Sequence, residues 1–309
     1  MEHLLAALRA AAETTRLRIL ALLAQGELTV GELVQILDQS QPRVSRHLKL
    51  MCEAGLLDRF QEGTMVFYRL SDGGVGDALN KAIVPLVPSK DEGLASDKRA
   101  LEAIRAERLE KAQRYFRENA SSWDQIRSLH VAEEQVEATL LELQGRENKK
   151  RMLDVGTGTG RMLELFSKHV EQAIGIDLSR EMLAVARANL DQKELLNCQV
   201  RQGDMYNLGV EAESQDLIVF HQVLHFASEP FQALLEAAKA LAVGGQILVA
   251  DFAPHEEEYL RTEHAHRRLG FDEREMINWG EQAGLKSSAV THLDGGKLRV
   301  TIWKFEKIS

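Results

Sequence analysis

Apolar positions fall at helical spacing in the first third of the chain and gather into short β-branched runs in the second half. Leu17, Leu20 and Leu23 predict a helix over Thr15 to Ala24 that stops before Gln25-Gly26, where glycine accepts a left-handed backbone. Thr29-Val30-Gly31-Glu32 has the form of a capping box and precedes Leu33, Ile36 and Leu37, the apolar face of a second helix. Asp38-Gln39 form a turn, Ser40 caps a third helix with Pro42 in its first turn, and Val44, Leu48 and Met51 make its buried stripe. Leu57 to Phe60 and Met65 to Leu70, joined through Gln61-Glu62-Gly63-Thr64, predict a two-stranded hairpin. Val75, Leu79, Ala82, Ile83 and Leu86 mark one more helix, ended by Pro85, Pro88 and Gly93.

Asp97 to Glu118 predicts a helix rich in both charges, with a Glu107 to Lys111 pair and sparse apolar positions at Leu94, Leu101, Ile104 and Leu109. It is either a solvated spacer or a helix that transmits a shift. Tyr115, Phe116 and Trp123 follow, as a lid over a pocket or as core. From Arg151 onward, Met152 to Val155, Ala173 to Asp177, Gln199 to Gln202, Asp216 to Phe220 and Gln246 to Ala250 alternate with helical stretches, which predicts a parallel sheet covered on both faces. The expected architecture is multidomain: an N-terminal α+β winged helix-turn-helix over 1–88, a charged linker helix over 89–118, and a C-terminal α/β domain over 119–309.

Composition narrows the function classes. A chain of 309 residues with 44% hydrophobic and 28% charged residues suits two ordinary domains. It has no bilayer-length apolar run, and Met1-Glu2-His3 lacks a basic signal region, so a cytoplasmic location and no membrane partner are expected. Cys52 and Cys198 stand apart, which argues against a disulfide framework or a thiolate metal cluster. Residues 1–90 hold 10 Lys/Arg and 10 Asp/Glu, so the whole net charge of −9 lies beyond them.

Within that neutral region no acid occurs between Asp38 and Glu53, while Arg43, Ser45, Arg46 and Lys49 lie on the side of the third helix away from Val44. A short helix, a turn and a second helix with a basic outer face fit the major groove of duplex DNA. Ser40, Gln41 and His47 join that candidate face, and Arg59 and Arg69 on the hairpin are placed to reach phosphates. Glu27-Leu28-Thr29-Val30-Gly31-Glu32-Leu33 and Ser40-Gln41-Pro42-Arg43-Val44-Ser45-Arg46-His47-Leu48 resemble the ArsR/SmtB family of bacterial repressors. The resemblance implies an operator-binding homodimer formed through the first and last helices of the domain. Metal-sensing members carry thiolates where this chain has Thr29 and Gly31, and no histidine lies between His47 and His130, so no metal is expected.

In the second half, Asp154-Val155-Gly156-Thr157-Gly158-Thr159-Gly160 ends the first strand and opens a helix, so its backbone can approach a ligand closely. Asp177 closes the second strand with Leu178 beside it, in position to accept hydrogen bonds from ribose hydroxyls, and Gly203-Asp204-Met205 follows the third. A dinucleotide fingerprint would place its third glycine at 161, which is Arg161. The set Asp154, Gly156, Gly158, Gly160, Asp177, Asp204 and Met205 resembles the Rossmann-like class I S-adenosylmethionine-dependent methyltransferases. That resemblance implies S-adenosylmethionine or S-adenosylhomocysteine as ligand, with the glycine loop on the methionine part, Asp177 on the ribose, and Asp204 with Met205 on the adenine. It also implies a closing antiparallel hairpin from Lys286 to His292 and Leu298 to Lys304, around Asp294-Gly295-Gly296.

His221, His225 and His255 follow the fourth and fifth strands and are candidate bases, His221 also flanking the ligand; a structural role is the alternative for each. His264-Ala265-His266-Arg267-Arg268 fits a solvated helix face better than an anion or metal site. Phe220-His221-Gln222-Val223 is not the motif by which amino-methyltransferases hold a flipped base, neither cysteine follows a proline, and arsenite methylation would need several thiols. The expected function is a DNA-binding transcriptional regulator, a repressor, whose second domain senses an adenosyl-sulfur effector. The alternative is an active small-molecule methyltransferase carrying an autoregulatory DNA-binding domain.

Overall fold

The computed structural model describes residues 1–62, 65–71, 73–88, 91–127, 132–145, 147, 149–264, 266–295 and 297–308; for residues 62, 109, 111–127 and 263 it describes the backbone alone. The Gly63-Thr64 turn, Gly296, the Lys111 end of the Glu107 pair and the side chains of Tyr115, Phe116 and Trp123 lie outside that description. The chain forms two compact units, one of residues 1–111 with 191–196, the other of residues 112–190 and 197–309. Among the described residues no helix is long and apolar enough to cross a membrane.

The first unit runs α1 (Glu2–Ala11), α2 (Thr14–Leu23), β1 (Leu28–Thr29), α3 (Val30–Leu37), α4 (Gln41–Glu53), β2 (Leu57–Glu62), β3 (Met65–Leu70), α5 (Gly74–Ile83) and the opening half of α6 (Glu92–Arg127). The capping box forms: Thr29 accepts from the Glu32 amide, and Glu32 accepts from the Thr29 amide at 2.7 Å. Asp38 ends α3 in the left-handed region, φ +50°, a conformation its short polar side chain tolerates, and this sharp turn sets α4 against α3. Ser40 occupies the N-cap of α4, but its hydroxyl makes no capping bond; Pro42, with its φ fixed, starts the helix instead.

Val44, Leu48 and Met51 are fully buried against Ile19, Leu20 and Leu33, the helical stripe working as its spacing requires. Leu101 and Ile104 of α6 enter the same core, so the part of the helix around them is packed and not a solvated spacer. Strand β1 is not visible in the sequence: two residues are too short for alternation, and Leu28 opposite Tyr68 and Thr29 opposite Phe67 complete a sheet of order β1-β3-β2.

The second unit continues with α7 (Glu133–Gln144), β4 (Lys149–Val155), α8 (Arg161–Phe166), β5 (Val170–Asp177), α9 (Arg180–Gln192), β6 (Cys198–Gln202), β7 (Gln215–His221), α10 (Pro230–Ala240), β8 (Leu241–Phe252), α11 (Tyr259–Glu263), α12 (Glu273–Gln282), β9 (Lys286–Asp294) and β10 (Arg299–Glu306). Among the described residues its sheet has the order β6-β5-β4-β7-β8-β10-β9, parallel except for the antiparallel β10 and β9. The predicted strands and closing hairpin are present. The strand order reverses at β4, with β5 on one side and β7 on the other, so a crevice opens at their carboxyl ends, where ligands bind in open α/β sheets.

Candidate functional site

In the first unit, Ser40, Gln41, Arg43, Arg46 and Lys49 are exposed on or before α4, and Ser45 is half-buried among them. Lys49 approaches Glu53 at 3.8 Å, but both side chains are largely in water, so the pair is weak. His47 departs from this face: its Nδ1 lies 3.8 Å from the Glu13 carboxylate at the start of α2, its side chain is 15% exposed, and burial pushes its pKa down. It packs inward. Arg69 also departs, because the hairpin register sets it opposite Asp58, with which it pairs at 3.4 Å while lying over the Phe60 ring; Arg59 stays exposed.

In the second unit, the turn after β4 is stapled to β5: the Ile176 carbonyl accepts both the Gly156 and Thr157 amides, at 2.8 and 2.9 Å. Gly156 has φ +72°, and a Cβ there would lie 2.2 Å from Val223, so only glycine fits. Gly158, φ +53°, has open space where its Cβ would be, and its amide donates to Asp177 Oδ2 at 2.9 Å; the Ser179 amide donates to Oδ1 at 2.8 Å. The Asp177 carboxylate is thus fixed at the strand end with acceptor capacity remaining on each oxygen. The Gly203 amide donates to the Asp177 carbonyl, bringing Gly203-Asp204-Met205 to the same edge. Asp204 Oδ1 accepts the Tyr206 amide, Met205 packs on the core, and Leu178 is 61% exposed. Gly160 opens α8, and Arg161 pairs with Glu137 at 2.5 Å, so it closes the glycine turn with a salt bridge.

Asp154 lies beneath the turn. Thr157 donates to its Oδ2 at 2.6 Å, Oδ1 is buried with no hydrogen-bond partner, and burial raises its pKa to about 7 against the pull of Thr157 and with help from the Asp177 charge. The orphaned Oδ1 lies buried under the turn, while the open space is above Gly158, beside the Asp177 carboxylate that receives its amide.

His221 ends β7 level with this turn, and burial pushes its pKa down to about 4, against Asp251 and Glu137, so it is neutral at neutral pH. Gln222 follows with φ +55°, a strained conformation for a side-chain-bearing residue. His225 is engaged with β8: its Nδ1 meets Asp251 Oδ1 at 2.8 Å, its amide donates to Oδ2 at 3.3 Å, and the two side chains are 3% and 1% exposed. The His266 ring stacks on His225 with centroids 4.0 Å apart, buried, its pKa pushed to about 3 by burial and by the neighbouring His225. This corrects the solvated-helix expectation for His264 to His266, because α11 ends at Glu263 and the following chain turns inward. His255 is half-buried beside Phe252, its pKa lowered by burial. Neither Asp251 nor the inward turn of His266 is legible in the sequence; β8 adjacency to β7 is the only signal for the former.

Comparison with known proteins finds similarity in both units. Residues 13–59 match the model of the bacterial regulatory protein arsR family, and residues 153–249 match a methyltransferase domain model. The arsenical resistance operon repressor of Escherichia coli is 54% identical over 61 residues, 19% of this chain and 52% of that protein. The uncharacterized methyltransferase YcgJ of Bacillus subtilis is 33% identical over 107 residues, 34% of this chain and 42% of that protein. The chain therefore spans about half or less of the length of these relatives. A crystal structure of a putative methyltransferase from Bacillus halodurans superposes with a TM-score of 0.51 at 18% identity, over 56% of this chain and 99% of that one, which shows the fold. One polypeptide thus joins a segment that matches the arsR-family model to a segment that matches a methyltransferase domain model and lies in a domain with the fold of that neighbour.

Proposed function

We propose that the protein is a transcriptional regulator, a repressor, whose methyltransferase-type domain binds S-adenosylmethionine or S-adenosylhomocysteine and whose operator affinity depends on that ligand. The observation that carries the reading is the Asp177 carboxylate, held by the Gly158 and Ser179 amides at the strand-order reversal beside open space. In this reading Asp177 receives the ribose hydroxyls. Gly156, Gly158 and Gly160, with Asp154 beneath, hold the amino-acid part, while Leu178, Asp204 and Met205 bound the adenine and His221 flanks the site. Arg43, Arg46, Lys49, Ser40, Gln41 and Ser45 face the major groove, and Arg59 approaches phosphate. A homodimer through α1 and α5 is supported by exposed Leu4, Leu5 and Leu8 on α1 and Val75 on α5. The division into two compact units supports a DNA-binding part and an adenosyl-binding part.

A ligand moves DNA affinity only by binding the two states unequally, typically about 1 to 3 kcal/mol, or roughly 5- to 150-fold. Calorimetry with each adenosyl ligand, followed by fluorescence anisotropy of the protein's own promoter fragment with and without it, tests the proposal. Tight ligand binding with an unmoved DNA isotherm removes the effector role.

A further inference from the structure

We infer that the Tyr206 hydroxyl is the latch of the crevice in the second unit, a contact that closes the rim over the place of the adenosyl ligand and parts to let it in and out. The inference rests on the adenosyl reading given above. Four loops border the carboxyl ends of β6, β5, β4 and β7, and each is tied to the next. The glycine turn after β4 is bound to β5 through the Ile176 carbonyl, and the loop after β6 is bound to β5 by the Gly203 amide, which donates to the Asp177 carbonyl at 3.1 Å. Gln202 adds a bond from Nε2 to the Leu178 carbonyl, also at 3.1 Å. The loop after β7 returns to the glycine turn, because Val223 packs where a Cβ on Gly156 would stand.

The fourth tie joins the loop after β6 to the loop after β7, and it has a different character. β6 and β7 are not neighbours: β5 and β4 lie between them, so the strand ends stand three spacings apart, roughly 14 Å. The two loops nevertheless meet. Tyr206 Oη accepts the Glu229 amide at 3.0 Å and shares a hydrogen bond of 3.1 Å with Ser228 Oγ. Such a meeting requires the loops to reach toward each other beyond the ends of β5 and β4, where the crevice opens. The anchor side is firm: the Tyr206 amide donates to Asp204 Oδ1 at 3.0 Å, and the ring packs against the core that holds Leu208, Val223 and Leu224. The catch side is not, since Ser228 and Glu229 are exposed and α10 starts only at Pro230. The other ties are backbone bonds or buried packing, whereas this one hangs on a single phenol hydroxyl with water as a competing partner. Hydrogen bonds of that kind contribute little net free energy, so the rim opens here first. Both partners of the hydroxyl are protein groups, so the latch closes equally over an empty or a filled crevice and governs passage, not affinity.

The probe is S-adenosylhomocysteine, passed over the immobilised full chain in surface plasmon resonance. Tyr206→Phe keeps the ring and removes only the hydroxyl. It should raise the association and dissociation rates of S-adenosylhomocysteine together, each about tenfold, the factor expected from losing two neutral hydrogen bonds, and leave Kd within about threefold of wild type. A Kd so little changed also shows that the site is intact. Ser228→Ala, which leaves the Glu229 bond in place, should raise both rates less, and Tyr206→Phe/Ser228→Ala should be no faster than Tyr206→Phe alone, because the two residues share one contact. Faster dissociation with unchanged association would make Tyr206 an ordinary ligand contact and overturns the inference; so does a double variant whose effects multiply, or rates unchanged in Tyr206→Phe. Absence of any S-adenosylhomocysteine binding by wild type would strike the adenosyl reading and the latch with it, so the wild-type trace tells the two failures apart.

Discussion

Replacing Asp154 by asparagine removes a buried charge at constant shape, and the sign of the effect on stability is set by the burial of that carboxyl. Burial raises it from 3.8 to about 7, so the folded chain holds this proton more tightly than the unfolded chain does. Its stabilising contribution is therefore fully present below about pH 4 and is lost as pH rises through about 7. A rise of that size corresponds to roughly 4 kcal/mol in total, of which about 3 kcal/mol falls between pH 5 and 8. Trp123, Trp279 and Trp303 all belong to the second unit, so tryptophan fluorescence during urea unfolding reports on the unit that contains Asp154. Wild type should lose about 3 kcal/mol more than Asp154→Asn over that pH interval, the two curves converging toward acid. Parallel curves would refute the reasoning, because they would mean that Asp154 titrates alike in folded and unfolded chains.

Asp177→Ala should abolish calorimetric binding of the adenosyl ligands while operator binding in anisotropy stays intact, since its carboxylate serves only the crevice of the second unit. Arg46→Ala should weaken operator binding and lower the salt slope by about 1 if it meets phosphate, or relax base preference at one position if it meets a base edge. Arg18→Ala should destabilise the first unit by about 3 kcal/mol in urea unfolding followed by circular dichroism, because it strands the Asp97 carboxylate, which is 1% exposed. In the double variant Arg18→Ala/Asp97→Ala most of that loss should return.

Features written in a few consecutive residues are legible in the sequence, and those set by strand neighbours are not. The Thr29–Glu32 capping box, the Val44–Leu48–Met51 stripe and the glycine turn depend on local spacing, and each stands where the pattern places it. The outward basic face is legible only in part. Angle on a helical wheel places Arg43, Arg46 and Lys49 correctly, but the inward turn of His47 depends on Glu13 from another helix. Arg69 looks free in the sequence because pairing with Asp58 requires the hairpin register. His225 and Asp251 lie 26 residues apart and meet because β7 and β8 are parallel neighbours, a relation that no spacing in one sequence records.

The charged stretch after Gly93 shows why composition alone misjudges a connector. Mixed charge suggests solvation, yet Arg18 of α2 grips Asp97 through two hydrogen bonds, at 2.7 Å from Nε and 2.5 Å from Nη2, and Arg108 bonds Glu32 at 3.0 and 2.9 Å. Glu32 is the same carboxylate that closes the capping box of α3, so the cation on α6 and the start of the helix-turn-helix share one group. The proposed effector coupling needs only about 1 to 3 kcal/mol. Loss of one partner from a buried ion pair costs about 3 to 5 kcal/mol, so a shift of α6 that loosened either contact in one state alone would suffice. A solvated spacer has no such lever, because surface ion pairs contribute about 0 to 1 kcal/mol each. If a ligand does change operator affinity, the first half of α6 therefore has the means to carry the change into the DNA-binding helices.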